Sequence, residues 1–456
     1  MVQYISTRGA APSLGFADVV LEGLATDGGL YVPQSWPSLG THRPRAYAQL
    51  AANVMQPFVD PDFNNKTLLE LCEQAYSTFG EPQVVPLVEI EPNHFLLELF
   101  HGPTLAFKDI ALQLLGLFFD SILSARGEHI TVVAATSGDT GSAAIDGVSK
   151  CKNVDMVILY PHGRVSDVQR RQMTTVQSPN VHAIAIDGTF DDCQDLVKAM
   201  FNDTVFRNTH RLAAVNSINW ARVMAQIVYY VSASDHFAKP IDVTVPTGNF
   251  GNVLSGWIAK QMGTPLHHLV VASNSNDILT RFFENQTMTV TGVTPSLSPS
   301  MDIQVSSNFE RLLFEMNDRD GAQTAQQLQR FRELGTFAVE PDQYAQWIAP
   351  NFRAGRCDDA QTLATINDVY ASSGILIDPH TAVGVHVARQ HMNPDIPMVT
   401  LATAHPAKFP DAVEQATGVR PQLPEHLADL FERPERTQLL PLDLLVVQKF
   451  IASVAH

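Results

Sequence analysis

The sequence predicts an α/β protein: parallel-rich sheets flanked by helices, with a mostly helical N-terminal unit in front and an inserted helical region. Three observations carry this expectation. Short β-prone runs alternate with helical patterns between about residues 95 and 420, as expected for strands joined by crossover helices. The turns after those runs are rich in Gly, Ser, Asn and Thr, and in such sheets ligands sit beyond the carboxyl ends of the strands. Finally, 456 residues suffice for two or three domains, each with a core of its own.

In residues 1–95, Asp27-Gly28-Gly29 marks a turn that leads into the β-prone Leu30-Tyr31-Val32-Pro33. Residues 45–58 and 66–79 read as helices; in the second, Leu68, Leu69, Leu71, Cys72, Ala75 and Tyr76 gather near one face. The run 95–100 is the first strand of the core, and an apolar helix follows Lys108-Asp109. Further strands are expected at 130–134, 156–160, 181–186, 212–215, 241–245 and 269–272, each with a helix behind it. Residues 284–360 are less regular, with a Pro/Ser-rich loop at 295–300 and a polar helix at 321–334, and read as an insertion. Strands at 374–377 and 398–402 complete the core. The expected division is therefore an N-terminal unit (1–95), a catalytic core (96–420, with the insertion at about 284–360) and a helical tail (421–456).

The formal net charge is −17, from 47 acidic and 30 Lys+Arg residues, so the basic footprint of a nucleic-acid binder is missing. No run of eighteen apolar residues occurs, which argues against a membrane span. The first eight residues lack a basic region followed by an apolar core, so a cytoplasmic location is expected. Four scattered cysteines, Cys72, Cys151, Cys193 and Cys357, form no Cys-x-x-Cys pair. That pattern fits free thiols better than a disulfide framework or a zinc site, and no metal is expected.

Chemistry concentrates around His101-Gly102-Pro103-Thr104-Leu105-Ala106-Phe107-Lys108-Asp109. A lysine behind Leu105, Ala106 and Phe107 is partly desolvated, which disfavours its ammonium form and suits a Schiff-base nucleophile. The alternative is a stem lying on an apolar surface with its head in water. In Thr247-Gly248-Asn249-Phe250-Gly251-Asn252, two glycines between strand and helix let backbone N–H groups converge on an anion; the alternative is a tight turn that needs positive φ. Ser137-Gly138-Asp139-Thr140-Gly141 is either a second cradle, for a carboxylate, or a capped helix start. Asn216, Ser217, Asn219 and Arg222 are either a capped helix with an exposed arginine or a site from which Arg222 reaches a phosphate. His101 and His405 read as structural histidines of turns. One lysine in an apolar setting together with a separate phosphate cradle is the design of a pyridoxal-phosphate enzyme.

The ordered motifs also resemble those of the threonine synthase family, specifically its longer bacterial and fungal branch. They run from Tyr4-Ile5-Ser6-Thr7-Arg8-Gly9 and Asp27-Gly28-Gly29-Leu30-Tyr31-Val32-Pro33 through the Lys108 stretch. Thr136-Ser137-Gly138-Asp139-Thr140-Gly141, Asn216-Ser217-Ile218-Asn219 and Gly248-Asn249-Phe250-Gly251-Asn252 follow. Ser300-Met301-Asp302-Ile303, Ser307-Asn308-Phe309-Glu310-Arg311 and Thr403-Ala404-His405-Pro406-Ala407-Lys408-Phe409 complete the set. The resemblance implies the tryptophan-synthase-β-like fold (fold type II of pyridoxal-phosphate enzymes), with pyridoxal 5′-phosphate as cofactor. It implies that Lys108 carries the cofactor as a Schiff base and serves as the base at Cα. Gly248, Asn249, Phe250, Gly251 and Asn252 would hold the cofactor phosphate, and Thr403 the pyridine nitrogen. The implied reaction converts O-phospho-L-homoserine and water to L-threonine and phosphate. Ser137, Gly138, Asp139 and Thr140 are then expected at the substrate carboxylate, and Thr104, Asn216, Ser217, Asn219 and Arg222 around its phosphate. Asp139 departs from the wider fold class, where many relatives outside this branch carry asparagine, and its role stays open. A same-fold serine/threonine dehydratase or β-replacement enzyme, or a non-catalytic phosphometabolite-binding protein, are the alternatives. A monomer or homodimer is expected.

Overall fold

The computed structural model describes residues 2–40 and 43–455. Two sheets organise it. The larger has six strands in the order Phe352–Arg356, Leu266–Ser273, Ile241–Pro246, Met398–Ala402, His94–Glu98, Leu87–Glu91. Every neighbouring pair is parallel except the hairpin that joins the last two. The second has five parallel strands, Thr437–Leu440, Val181–Ile186, Val154–Pro161, Ile130–Ala135 and Leu212–Ala213. The central strands Ile130–Ala135, Val154–Pro161 and Ile241–Pro246 are buried along almost their whole length. Burial on both faces explains why they read as continuous apolar runs rather than alternating ones.

Three features of the sequence division change. Leu87–Glu91, before position 95, is the antiparallel edge of the larger sheet. Phe352–Arg356, inside the expected insertion, forms that sheet's opposite edge by pairing with Leu266–Ser273. The tail after 421 is not only helical: Thr437–Leu440 adds to the smaller sheet, and Leu444–Val454 covers it with Val447 and Ile451. One expected strand is absent. Gly374 takes φ 75° as the left-handed cap of the helix Asp359–Ser373, and Asp378 already caps the helix Pro379–His391. The residues between, Ile375, Leu376 and Ile377, connect two helices and pack sideways into the core.

The N-terminal residues form a two-stranded sheet (Tyr4–Ser6 with Tyr31–Pro33) and the helices Phe16–Glu22, Tyr47–Val59 and Asn65–Tyr76. These elements are sealed to the core by aromatic packing: Phe16 meets Phe118 edge-on at 5.2 Å, and Tyr4 packs against Trp220 at 5.7 Å. The Trp220 indole N–H donates to the Tyr4 hydroxyl (3.0 Å), which donates to the Phe58 carbonyl (2.6 Å), so the polar tips of this apolar contact are satisfied. The unit also reaches the loops near the larger sheet. Thr7 Oγ1 donates to Glu310 (2.6 Å), while Arg311 donates to the carbonyls of Tyr31 (3.0 Å) and Ile218 (2.7 Å). All four cysteines are free and buried. Among the described residues, no helix is long and apolar enough to cross a membrane.

Candidate active site

The site lies where the carboxyl ends of the two sheets face each other. Lys108 opens the helix Lys108–Arg126, just past the turn that follows His94–Glu98. That turn is fixed from inside. Leu105 takes a left-handed φ of 64°, and the Asp109 carboxylate accepts from the Thr104 amide (2.8 Å) and hydroxyl (2.6 Å). Burial pushes the Asp109 carboxyl up to about 7, against the pull of those hydrogen bonds. A Cβ on Gly102 would come within 2.5 Å of the Asp109 Cβ, so the loop closes only around a glycine.

Lys108 is 8% exposed, and its ammonium meets Asp139 Oδ2 at 3.1 Å. Desolvation lowers its pKa, the Asp139 carboxylate raises it, and the positive charges of Lys408 and Arg222 lower it again; the net direction is down. Asp139 opens the helix Asp139–Val148 after the strand Ile130–Ala135. Burial alone would raise its carboxyl, but the charges of Lys108, Lys408 and His380 and a hydrogen bond from Gln169 hold it well below the usual carboxylate range.

Thr247-Gly248-Asn249-Phe250-Gly251-Asn252 turns from Ile241–Pro246 into the helix Gly251–Gln261. A Cβ on Gly248 would meet Met301 Cα and the Ser300 carbonyl at 3.2 Å, so backbone approaches backbone there. Phe250 takes φ 62°, and its ring points away from the pocket into a cluster with Phe309 and Phe352; the turn uses its backbone only. Asn252 Oδ1 accepts from the hydroxyls of Tyr229 (2.5 Å) and Tyr230 (2.8 Å), which leaves its buried Nδ2 without a partner. An orphaned buried donor at the positive end of a helix fits an anion. With Lys108 and Thr403 lining the same pocket, the donor set fits pyridoxal phosphate.

Arg222, on the helix Trp220–Ser234, donates to the Val215 carbonyl (3.1 Å). Its Nε is buried and unpaired, no carboxylate among the described residues forms an ion pair with it, and burial lowers its pKa to about 10. Ser217 and Thr140 line the pocket with it. Other expected substrate contacts are otherwise engaged. The Asn219 side chain donates to the Val20 carbonyl (2.9 Å) and accepts from the Ala221 amide (3.0 Å), so it is a helix cap tied to the N-terminal unit. The Thr104 hydroxyl is held by Asp109, as above, and Thr104 does not line the pocket. Asn216 is solvent-exposed and Ser137 and Gly138 are not lining residues. Thr136 Oγ1 already accepts from the amides of Gly138 (3.0 Å) and Gly141 (2.8 Å), which removes two N–H groups from the expected second cradle. His101 is paired with Glu98 (2.7 Å), and His405 Nδ1 accepts from the Ala407 amide (3.1 Å).

Lys408, Ser300, Gln169 and His380 were not expected in the site. Lys408 Nζ lies 3.0 Å from Asp139 Oδ1, Gln169 donates to that same oxygen (2.8 Å), and Ser300 donates to Oδ2 (3.3 Å). His380 lines the pocket, with Nδ1 2.7 Å from Asp378. A sequence signal existed only for Lys408 and Ser300, as members of motifs with no assigned task.

Three family models match the chain: "Threonine synthase N terminus" over residues 3–76, "Pyridoxal-phosphate dependent enzyme" over 83–334, and "Threonine synthase, C-terminal" over 381–451. The threonine synthase of Pseudomonas aeruginosa is 51% identical, covering 99% of this chain and 98% of its own length. The pyridoxal-phosphate-bound threonine synthase of Brucella melitensis superposes with a TM-score of 0.97 at 48% identity over 100% of both chains. The yeast enzyme superposes with a TM-score of 0.94 at 37% identity, over 99% of this chain and 98% of its own. A site built around a buried lysine and an unpaired anion cradle, on a chain matched end to end in this way, places the protein in the threonine synthase family.

Proposed function

We infer that the protein is a pyridoxal-phosphate-dependent lyase that converts O-phospho-L-homoserine and water to L-threonine and phosphate. The observation that carries this reading is the pairing, in one pocket, of a buried reactive lysine with two separate sets of unpaired donors. One set lies at Gly248–Asn252 and the other at Arg222. Pyridoxal phosphate, when bound, supplies an electron sink that acidifies the Cα–H and Cβ–H bonds of an amino acid.

The chain's own residues supply the rest. Asn252 Nδ2 and the amides of Gly248, Asn249, Phe250 and Gly251 hold the cofactor phosphate at the positive end of their helix. Thr403 offers a neutral hydroxyl to the pyridine nitrogen. Lys108 would carry the cofactor and, as a free amine, would hold and move the Cα proton at Nζ. The same buried nitrogen would be the candidate to move a proton at Cβ of the substrate. Thr140, with the amides of Asp139 and Thr140 at the start of their helix, receives the substrate carboxylate. Arg222 and Ser217 receive its phosphate; a buried guanidinium without a carboxylate gains most from a dianion. We also place the protein in the cytoplasm as a monomer or homodimer without a nucleic-acid partner, in keeping with its negative charge and buried thiols.

Arg222 separates this reading from a same-fold dehydratase, which needs no second phosphate site. Arg222→Ala is expected to raise KM for O-phospho-L-homoserine about thirtyfold or more, the scale of a lost buried charged contact, with cofactor absorbance retained. An unchanged KM would remove Arg222 from the substrate site. The reaction itself is tested by incubating the purified protein with O-phospho-L-homoserine: equal yields of phosphate and threonine support the assignment, whereas phosphate-free formation of a keto acid from threonine or serine would favour the dehydratase.

A further inference from the structure

Two buried lysines share one carboxylate. Asp139 Oδ2 faces Lys108 at 3.1 Å and Oδ1 faces Lys408 at 3.0 Å. Their surroundings differ. Lys408 is fully buried, and its ammonium has three acceptors: the Thr104 carbonyl (2.7 Å), Gln172 Oε1 (3.0 Å) and Asp139. Three acceptors therefore surround one enclosed ammonium. Among the described residues, the Lys108 ammonium donates a hydrogen bond only to Asp139. Asp139 thus has one fully enclosed partner, Lys408, and a second, Lys108, that lines the open pocket.

We propose that Lys408 is a positioning residue for the catalytic lysine: as the standing counter-cation of Asp139, it lets Lys108 exist as a neutral amine without leaving a buried carboxylate unpaired. The inference rests on Lys108 being the cofactor-bearing lysine. It also accounts for an aspartate at position 139. Alone beside Lys108, a buried carboxylate would hold that lysine as an ammonium; paired with Lys408, it forms a neutral unit that accepts a hydrogen bond and demands no further charge. The remaining charged and titratable neighbours are few. His380 faces Asp139, Arg222 faces Lys108, and Asp109 and His405 face Lys408.

The test is the capture of pyridoxal phosphate by cofactor-free enzyme, followed by visible absorbance between about pH 6 and 10. Only the neutral Nζ adds to the aldehyde carbon, with water leaving, so the half-point of the rate against pH reports the Lys108 ionisation. Lys408→Met is expected to raise that half-point by about one pH unit or more, the usual effect of a charge at this range, and to slow capture about tenfold near neutral pH. Lys408→Gln, which retains polar contacts with Thr104 and Gln172 but no charge, is expected to shift it in the same direction should the methionine variant not fold. Asp139→Asn added to either variant is expected to bring the half-point back down. A folded Lys408 variant with the wild-type half-point, or a double variant no lower than the single, would overturn the proposal. Absence of any absorbance in the wild type would instead overturn the assignment of Lys108 itself.

Discussion

Lys108→Ala is expected to abolish the visible absorbance of bound cofactor and to lower threonine formation by about a thousandfold or more. In the proposed mechanism the lysine does two jobs at one nitrogen, anchoring the cofactor and moving the Cα proton, and loss of a positioned general base alone costs about a hundred- to ten-thousandfold. No neighbour can take over. Lys408 is held away by Thr104, Gln172 and Asp139, and Arg222 is an arginine whose guanidinium stays charged near neutral pH even at about 10. The fold should survive, because the variant leaves Asp139 paired with Lys408 rather than stranded. A melting temperature near the wild type's, with the cofactor phosphate still bound weakly through Gly248–Asn252, completes the expected result. Retention of the absorbance band in this variant would move the cofactor to another lysine.

The second large effect is structural and reaches the same atoms. The helices Lys108–Arg126 and Asp139–Val148 cross with almost no space between them. A Cβ on Gly116 would lie 2.1 Å from the Gly147 carbonyl oxygen, and one on Gly147 would lie 2.4 Å from that of Leu112. Both obstacles are backbone, so no side-chain rotamer relieves them. Gly116 is eight residues beyond Lys108 and Gly147 eight beyond Asp139, about 12 Å along each helix. The crossing fixes the approach of the two helices whose first residues, Lys108 and Asp139, meet at 3.1 Å. Gly116→Ala is expected to destabilise the protein by about 3 kcal/mol, the upper part of the overpacking range, and to weaken cofactor binding measurably. Gly292→Ala, where an added Cβ meets nothing within 4 Å, is the control and should change neither. If Gly116→Ala melted with the wild type and bound cofactor as tightly, the crossing would not be what spaces the pair.

The sequence made the two sheets legible because their central strands are buried on both faces and carry β-branched runs such as Ile130-Thr131-Val132-Val133. The edges were not legible. Phe352–Arg356 buries only Phe352 and Gly355, Thr437–Leu440 buries only Leu440, and both carry Arg or Gln, as edge strands do, so they resemble insertion and tail. At 374–377 an apolar run imitated a strand, although its flanking caps leave only a connection between helices. In the candidate site, Lys108 and the Gly248–Asn252 turn are legible because local chain chemistry announces them, and the structure brings both to one pocket. Lys408, Gln169 and His380 were missed because they act across the fold: Lys408 is separated from Asp139 by more than two hundred positions, and no spacing rule brings them together. The same limit explains Asn219, whose side chain is occupied by Val20, 199 positions earlier; Thr104 is held locally, by Asp109 five positions on.

The central claim, that this pocket uses Lys108 to carry pyridoxal phosphate, is tested most directly by reducing the loaded enzyme with borohydride and mapping the modified peptide by mass spectrometry. The account predicts one reduced cofactor per chain, attached to Lys108 and absent from Lys108→Ala. Modification at Lys408, at any other lysine or at none would contradict it.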